Sequence, residues 1–214
     1  MYNDCREDFG KLILKYDPYL ESSFVWYIIH QILVLSEEDA PIFSFLFSNK
    51  LNSFKKDELS QIIFDYFKTT NNIEIKKDYI DEDLNICVKS YINEDTNANP
   101  EDNYICPLSS LNLLTKKKDV YIKNKPFYSA LSYLNIYYLL SVVYKFKPFN
   151  IEDCLNDKYS PINVFNLDKN SFLQYLNEIQ KNELIRINKT AGLNTVYFEK
   201  KMNLKQLFNK YFGG

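Results

Sequence analysis

The fold is decided by residues 161–199, PINVFNLDKNSFLQYLNEIQKNELIRINKTAGLNTVYFE, where one sequence period gives way to another. Asp168 is a favourable helix N-cap, and apolar residues at positions 172, 173, 175, 176 and 179 recur at helical spacing after it. Residues 184–188 and 196–198 instead alternate between apolar and polar side chains on either side of Gly192. This change of period predicts an amphipathic helix followed by a β-hairpin.

Two earlier segments supply the helices that should precede this pair. The apolar run 129–146 and the short segment 151–155 both come before the helix that Asp168 caps. Helices followed by a further helix and a hairpin are typical of a winged helix-turn-helix domain, in which the last two elements are the recognition helix and the wing. We therefore predict a winged helix over residues 127–214, with double-stranded DNA as its partner.

The predicted DNA-binding residues lie on the polar face of the helix and on the hairpin. Amide, guanidinium and ammonium groups donate hydrogen bonds to phosphates and base edges, which is the chemistry that a helix in a major groove requires. These residues are Lys169, Asn170 and Gln174 on the helix and Arg186, Lys189 and Asn194 on the hairpin. The same residues also fit a hydrated surface or a surface that contacts another protein.

Charge is distributed unevenly along the sequence. Residues 1–114 contain 10 basic and 20 acidic side chains, whereas residues 115–214 contain 16 basic and 8 acidic ones. Lysines cluster at positions 116–118, at 145 and 147, and at 200 and 201. A basic C-terminal half is expected of a phosphate-binding protein. The alternative is that the two halves neutralise each other and that the lysines only promote solubility.

The N-terminal half is predicted to be helical. Residues 8–16, 22–35, 41–47, 56–69 and 78–91 have helical patterns, and a polar stretch over 93–103 is typical of a linker. After it, residues 106–114 predict a short helix and residues 120–123 a strand. We expect a mainly α fold with a small β-hairpin, divided into an acidic helical domain (1–98), a linker with a short helix and strand (99–126) and a basic winged-helix domain (127–214).

Composition excludes several classes of protein. A chain of 214 residues that is 46% hydrophobic can bury a core and is not intrinsically disordered. The start of the sequence lacks the regions of a signal peptide, and the longest apolar run, 24–35, is too short to span a bilayer. The four cysteines lack the paired spacing of zinc or redox sites. We expect a cytoplasmic protein with reduced cysteines and no membrane contact.

No motif identifies a catalytic centre or a cofactor, and the chain contains one histidine. His30 lies in an apolar helix, so a buried, hydrogen-bonded imidazole is expected rather than a catalytic one. Neighbouring carboxylates can hold the Mg²⁺ that many nucleases use, and they occur at positions 81–83 and at Glu101 and Asp102. Residues 81–83 fit a solvated helix face. Glu101 and Asp102 are therefore the candidate catalytic residues, although a turn or the start of a helix also explains them.

Several segments together resemble the domain of unknown function 4007 family. They are residues 17–21 (DPYLE), Trp26 with His30, residues 99–103 (NPEDN) leading to 106–108 (CPL), and residues 184–187 (LIRI) with 190–193 (TAGL) and 196–197 (VY). Their order and spacing are similar to the family pattern over nearly the whole chain. No single segment is specific, but the set is.

The resemblance implies a role in prokaryotic antiphage defence. Such proteins are linked to DNA phosphorothioation systems and include SspB-like proteins, which nick DNA. The resemblance places Glu101 and Asp102 inside a family motif without identifying catalytic residues. Family members carry an upstream section with a Gly-His-Glu-Thr-Phe motif, and we expect this sequence to begin after that section, which leaves nicking activity open.

Three functions are consistent with these expectations. The first is a DNA-binding component of a phosphorothioation or related defence system, which contacts duplex DNA through the winged helix and other subunits through the helical half. The second is a DNA nickase that uses Glu101 and Asp102 with Mg²⁺. The third is a protein-only adaptor or dimerisation scaffold, for which a second copy of the chain is a candidate partner.

Overall fold

The chain folds into helices with two small sheets. The computed structural model describes residues 3–71, 76–93, 105–190 and 193–213. Within these ranges the helices are α1 (Asn3–Tyr16), α2 (Ser23–Leu35), α3 (Pro41–Ser48), α4 (Lys56–Asn71), α5 (Lys77–Tyr91), α6 (Tyr133–Tyr144), α7 (Ile151–Asn156), α8 (Pro161–Val164), α9 (Lys169–Lys181) and α10 (Leu204–Phe212), with a 3-10 helix at Pro107–Leu111. The strands are β1 (Ser53–Lys55), β2 (Leu114–Lys117), β3 (Val120–Lys123), β4 (Phe149–Asn150), β5 (Ile185–Thr190) and β6 (Leu193–Phe198). The predicted mainly α class is confirmed.

Two of the predicted helices are shorter than expected, for local reasons. The helix predicted over 129–146 begins only after Ser132, whose hydroxyl accepts a hydrogen bond from the Leu134 amide at 3.2 Å. It ends at Tyr144 because Lys145 and Phe146 have left-handed φ angles of 51° and 58°. The helix predicted over 106–114 is a 3-10 turn, because the left-handed Asn112 ends it before β2 begins.

Packing divides the chain into two compact units. Unit 1 consists of Met1–Ile29, Phe127–Ile162 and Leu167–Gly214, and unit 2 consists of His30–Pro126 and Asn163–Asn166. This division by packing differs from the predicted division into domains 1–98, 99–126 and 127–214, which stays a prediction. In unit 1, the first residues of the chain are grouped with the last ones.

Aromatic side chains explain that grouping. In unit 1, Tyr16 at the end of α1 stacks on Phe212 of α10 with ring centroids 5.8 Å apart, and its hydroxyl donates to the Asn209 carboxamide. Phe24 of α2 stacks on Tyr211 of α10 at 4.2 Å. Such ring pairs contribute about 0.5–1.5 kcal/mol each beyond the burial of their area. The N-terminal helix is therefore fastened to the C-terminal one.

The loop before α2 is fixed by side chains from the segment at 17–21. The buried carboxylate of Asp17 accepts hydrogen bonds from the amides of Glu21 (2.9 Å) and Ser22 (3.1 Å). The Trp26 indole donates to the Leu20 carbonyl at 2.7 Å, and Leu20 itself has a left-handed φ of 55°. These residues carry part of the family resemblance, and here they build the turn that starts α2.

A three-stranded antiparallel sheet in the order β4-β6-β5 lies in unit 1. Val196 of β6 is the register partner of Phe149 in β4 and of Ile187 in β5. Helix α6 packs against α9 and α10, while α7 packs against β4 and β6. The Tyr137 hydroxyl of α6 donates to the Lys200 carbonyl and accepts from the Met202 amide at 3.2 Å. This side chain holds the segment that leaves β6.

Unit 2 contains α3, α4, α5 and a second antiparallel sheet in the order β1-β3-β2. Phe54 of β1 and Tyr121 of β3 are register partners whose rings stack at 5.3 Å. His30 is completely buried, as predicted for a structural histidine. Its Nε2 donates to the Val164 carbonyl at 2.7 Å, so its Nδ1 accepts from the Tyr91 hydroxyl at 2.6 Å.

The predictions about reduced cysteines and membrane-spanning segments can be compared with the structure. Cys87 and Cys154 are buried free thiols, and Cys106 is a partly exposed one. Burial raises the pKa of Cys154 to about 12, which makes this thiol unreactive at neutral pH. In the described part of the chain, every helix is too short or too polar to cross a membrane.

Candidate nucleic-acid interface

Helix α9 exposes the face that was predicted to bind DNA. The Asp168 carboxylate accepts a hydrogen bond from the Ser171 amide at 2.7 Å, which confirms the predicted N-cap. The opposite face is buried at Phe172, Tyr175, Leu176 and Ile179. The exposed residues include Asn170, Gln174, Asn177 and Lys181. The helix therefore presents carboxamides and an ammonium group to solvent.

Lys169, the first residue of α9, is paired with an acidic neighbour. Its Nζ lies 2.8 Å from Oε1 of Glu152 in α7. The two side chains are 52% and 60% exposed, so water screens the pair and it contributes less than about 1 kcal/mol. A phosphate group could displace Glu152 from Lys169 at little cost.

The β5–β6 hairpin brings two of the predicted residues together. Lys189 of β5 is the register partner of Asn194 in β6. Lys189 is exposed and Asn194 is half-buried. The predicted turn at Gly192 lies outside the described residues. The described parts of both strands thus form the paired ladder that the alternating sequence predicts.

Arg186 has partners that the sequence did not reveal. Its Nε donates to Oε1 of Glu199 at 2.8 Å, and its guanidinium carbon lies 4.7 Å from the centroid of the Tyr197 ring. Tyr197 is its register partner across the hairpin, so the alternation of β5 and β6 was the signal that could have predicted this contact. A guanidinium carries five N–H donors. Arg186 can therefore contact a phosphate while one of its donors stays on Glu199.

Hydrogen bonds fix the hairpin to the end of α9. The Leu184 amide donates to the Ile179 carbonyl at 3.2 Å, and the Ile187 amide donates to Oε1 of Gln180 at 3.3 Å. Between them, Glu183 has a left-handed φ of 57°, which reverses the chain within one residue. The helix and the hairpin therefore have a defined geometry relative to each other inside unit 1.

The candidate metal-binding residues are not brought together by any described element. Glu101 and Asp102 lie outside the described residues. Of the other acidic group, Asp81 accepts a hydrogen bond from the Ser60 hydroxyl, while Glu82 and Asp83 are exposed on α5. Across residues 3–71, 76–93, 105–190 and 193–213, no group of three or more His, Cys, Asp and Glu side chains could hold a metal ion.

A polar groove of about 340 Å³ at the start of α6 was not predicted. In it, the Tyr128 hydroxyl donates to Oε2 of Glu178 at 2.8 Å, a bond that raises the pKa of this tyrosine. The Tyr133 hydroxyl donates to Oδ1 of Asn182 at 2.9 Å. Both bonds fasten the start of α6 to α9. Tyr128, which is an exposed aromatic residue, lines this groove.

The environment of the Lys123 amine in unit 2 was also not predicted from the sequence. Nζ of Lys123, the last residue of β3, donates to the Asn49 carbonyl at 3.0 Å and lies 5.4 Å from the centroid of the Phe47 ring. Burial lowers the pKa of Lys123 to about 7. This ammonium faces the interior, so Lys123 does not belong to the nucleic-acid interface despite its place in a lysine-rich segment.

Comparisons with known proteins agree with this fold. A family model described as "Protein of unknown function (DUF4007)" matches residues 3–212. Two solved structures are similar to the chain: "Magnesium ion-bound SspB crystal structure", with a TM-score of 0.78 and 16% identity, and "SspB crystal structure", with a TM-score of 0.74 and 14% identity. Each match covers 92% of this chain and 62% of the solved chain, so this chain spans less than two thirds of their length. No curated protein matches it.

Proposed function

Since the chain belongs to the DUF4007 family, we propose that it is a DNA-binding component of a prokaryotic DNA phosphorothioation or related antiphage defence system. The similarity of the fold to two SspB structures supports the choice of system. The exposed polar face of α9 beside a hairpin supports the choice of DNA as the partner. The other subunits of the system are further proposed partners.

One observation carries the proposal, which is the order of elements in unit 1. The chain runs through α6, β4, α7, α9, β5 and β6, and the sheet order is β4-β6-β5. A winged helix-turn-helix has this succession of helix, strand, two helices and two strands, with its last strand in the middle of the sheet. The short helix α8 is an addition to the pattern. In this interpretation α9 is the recognition helix and β5–β6 is the wing.

Each candidate residue then has a role. Asn170 and Gln174 on α9 would bond to base edges or phosphates, because a carboxamide offers both a donor and an acceptor. Lys189 and Arg186 would contact phosphates from the wing, where Asn194 lies beside Lys189. Lys169 would exchange Glu152 for a phosphate. These contacts position the duplex, and those from α9 also read its sequence.

Binding should depend on the lysine and arginine of the wing. We expect a double variant, Arg186→Gln with Lys189→Gln, to bind duplex DNA more weakly at every sequence, with a salt slope of log K shallower by about 0.9 for each lost phosphate contact. A mobility-shift titration at several salt concentrations measures this slope. Glutamine is preferred to glutamate at position 186 because a second carboxylate would repel Glu199.

Lys11→Gln is a control for the loss of an exposed positive charge, because Lys11 of α1 pairs with Asp8 and lies outside α9 and the β5–β6 hairpin. An unchanged affinity of the double variant would count against the wing as a DNA contact. A chain that binds no duplex at low salt but still forms a complex with another subunit or a second copy would favour the adaptor function instead.

A second candidate function is a Mg²⁺-dependent DNA nickase. The observation that favours it is that one of the similar structures is described as magnesium ion-bound. The described residues offer no carboxylate cluster for the ion, so the proposal depends on Glu101 and Asp102. These two residues would supply the hard oxygen ligands that Mg²⁺ prefers.

A plasmid assay tests the nickase directly. Supercoiled plasmid incubated with the protein and Mg²⁺ should give relaxed circles, and EDTA should prevent this. We expect the double variant Glu101→Gln with Asp102→Asn to lose about 100-fold or more in rate, because the loss of even an outer-shell partner of a metal ligand costs about 10- to 100-fold. Absence of relaxed product from the wild type, or equal product from both proteins, would remove this function.

A further inference from the structure

In unit 2, the turn of the β2–β3 hairpin contains Lys118, a residue type that such a turn does not favour. Lys117 and Val120 are register partners, so Lys118 and Asp119 form the whole turn. Lys118 has a left-handed φ of 56°. Glycine and asparagine are the usual residues at such a position, because a Cβ with a long side chain makes this conformation unfavourable. Lys118 therefore reduces the stability of its own turn.

Three lysines in succession are exposed at this end of the hairpin. Lys116 is held over the ring of its register partner Tyr121, with Nζ 5.6 Å from the ring centroid, and Lys117 and Lys118 follow it into solvent. The nearest acid in the sequence, Asp119, lies 3.6 Å from Nζ of Lys55 in β1. The charge of Asp119 is therefore directed to β1 and not to the end of the hairpin.

The positive charge of the β2–β3 hairpin contrasts with the net charge of the unit that contains it. Unit 2 contains 12 basic and 16 acidic residues, so it is acidic as a whole. Residues 115–126 alone contain five basic residues and one acidic residue. The β2–β3 hairpin is thus a local basic element in a unit that is acidic as a whole, and such a concentration of positive charge attracts a polyanion.

Protection of the sheet edge explains only part of this pattern. Strand β2 lies at the edge of the sheet, and lysines on edge strands prevent pairing with other chains. That role accounts for Lys116 and Lys117. It does not account for Lys118, because a turn residue offers no ladder to another strand and glycine would fit there without strain.

We propose that the β2–β3 hairpin is a second DNA contact, in which Lys116, Lys117 and Lys118 bind the sugar–phosphate backbone. This inference rests on the proposed function and extends it from the wing in unit 1 to a separate element in unit 2. Lysine ammonium groups donate to phosphate oxygens at any base sequence, so the hairpin adds affinity and not specificity. The unfavourable turn conformation positions one of the three charges at the tip.

The full-length variant Lys116→Gln, Lys117→Gln, Lys118→Gly tests the hairpin in titrations of duplex DNA against salt. Three lost phosphate contacts should make the slope of log K against log salt shallower by about 2 to 3. The matched control is Lys76→Gln, Lys77→Gln, Lys89→Gln, which removes three exposed lysines from the same unit around α5. We expect the control to keep the wild-type slope. Equal slopes for all three proteins, or equal losses in variant and control, would overturn the inference.

The single variant Lys118→Gly separates binding from folding. Its thermal midpoint should equal or exceed that of the wild type because the turn is relieved of strain, while its affinity for DNA falls. Unchanged affinity with a raised midpoint overturns the inference. If the wild type binds DNA and only the wing variant is weaker, the proposed function stands and this inference fails; if the wild type does not bind DNA, both fail.

Discussion

His30 has both ring nitrogens occupied inside unit 2, which fixes its charge state. Nε2 donates to Val164, Nδ1 accepts from Tyr91, and the Lys123 ammonium is close enough to disfavour a second positive charge. Burial is the main cause that lowers the His30 pKa to about 4, with Lys123 acting in the same direction. His30 is therefore a neutral structural bridge and not an acid–base catalyst.

The His30 pKa predicts how stability depends on pH. His30 takes up a proton near pH 6.5 in the unfolded chain and near pH 4 in the folded chain. Its contribution to the free energy of unfolding is therefore fully present above pH 6.5 and is lost as the pH falls towards 4. Between pH 7 and pH 5 the free energy of unfolding should decrease by about 2 kcal/mol. Urea unfolding at three pH values measures it. The chain has one histidine, so His30→Gln should flatten this profile, and a flat wild-type profile would contradict the assignment.

At the scale of elements, capping decides where α9 begins. The Asp168 carboxylate accepts a hydrogen bond from the Ser171 amide at the start of the first turn. We expect Asp168→Ala to lower the free energy of unfolding by about 1 kcal/mol, because the first turn of α9 loses its cap. Asp168→Asn is the control, since asparagine caps as well as aspartate. Chemical denaturation that gives both variants the same loss would show that charge, and not capping, is responsible.

The pattern of neighbouring residues predicts the longer helices and strands, but it does not predict the shortest strands. The helical period of α9 and the alternation in β5 are visible in neighbouring residues. Strands β1 and β4, of three and two residues, exist because partners from distant sequence pair with them, as Phe149 does with Val196. The helix α10 was missed even though Asn203 caps it, since its apolar face is buried against α1 and α6.

At the scale of the whole molecule, the charge asymmetry of the sequence is redistributed by folding. The two halves of the sequence differ strongly in charge, but unit 1 contains 14 basic and 12 acidic residues and unit 2 contains 12 and 16. The acidic first 29 residues join the basic C-terminal segment, and the lysines at 116–118 belong to unit 2. The sequence therefore predicted which residues are exposed on α9, but not the ionic partners of Lys169 and Arg186, which come from other elements.

The pairing of α1 with α10 also sets the order of events during protein synthesis. Tyr16 and its partner Asn209 are 193 positions apart, and a ribosome adds roughly 5–20 residues per second. Tyr16 is therefore added to the growing chain roughly 10 to 40 s before Asn209. Most of unit 2 is one continuous stretch and can fold during that interval. Unit 1 is completed only when translation has passed α10.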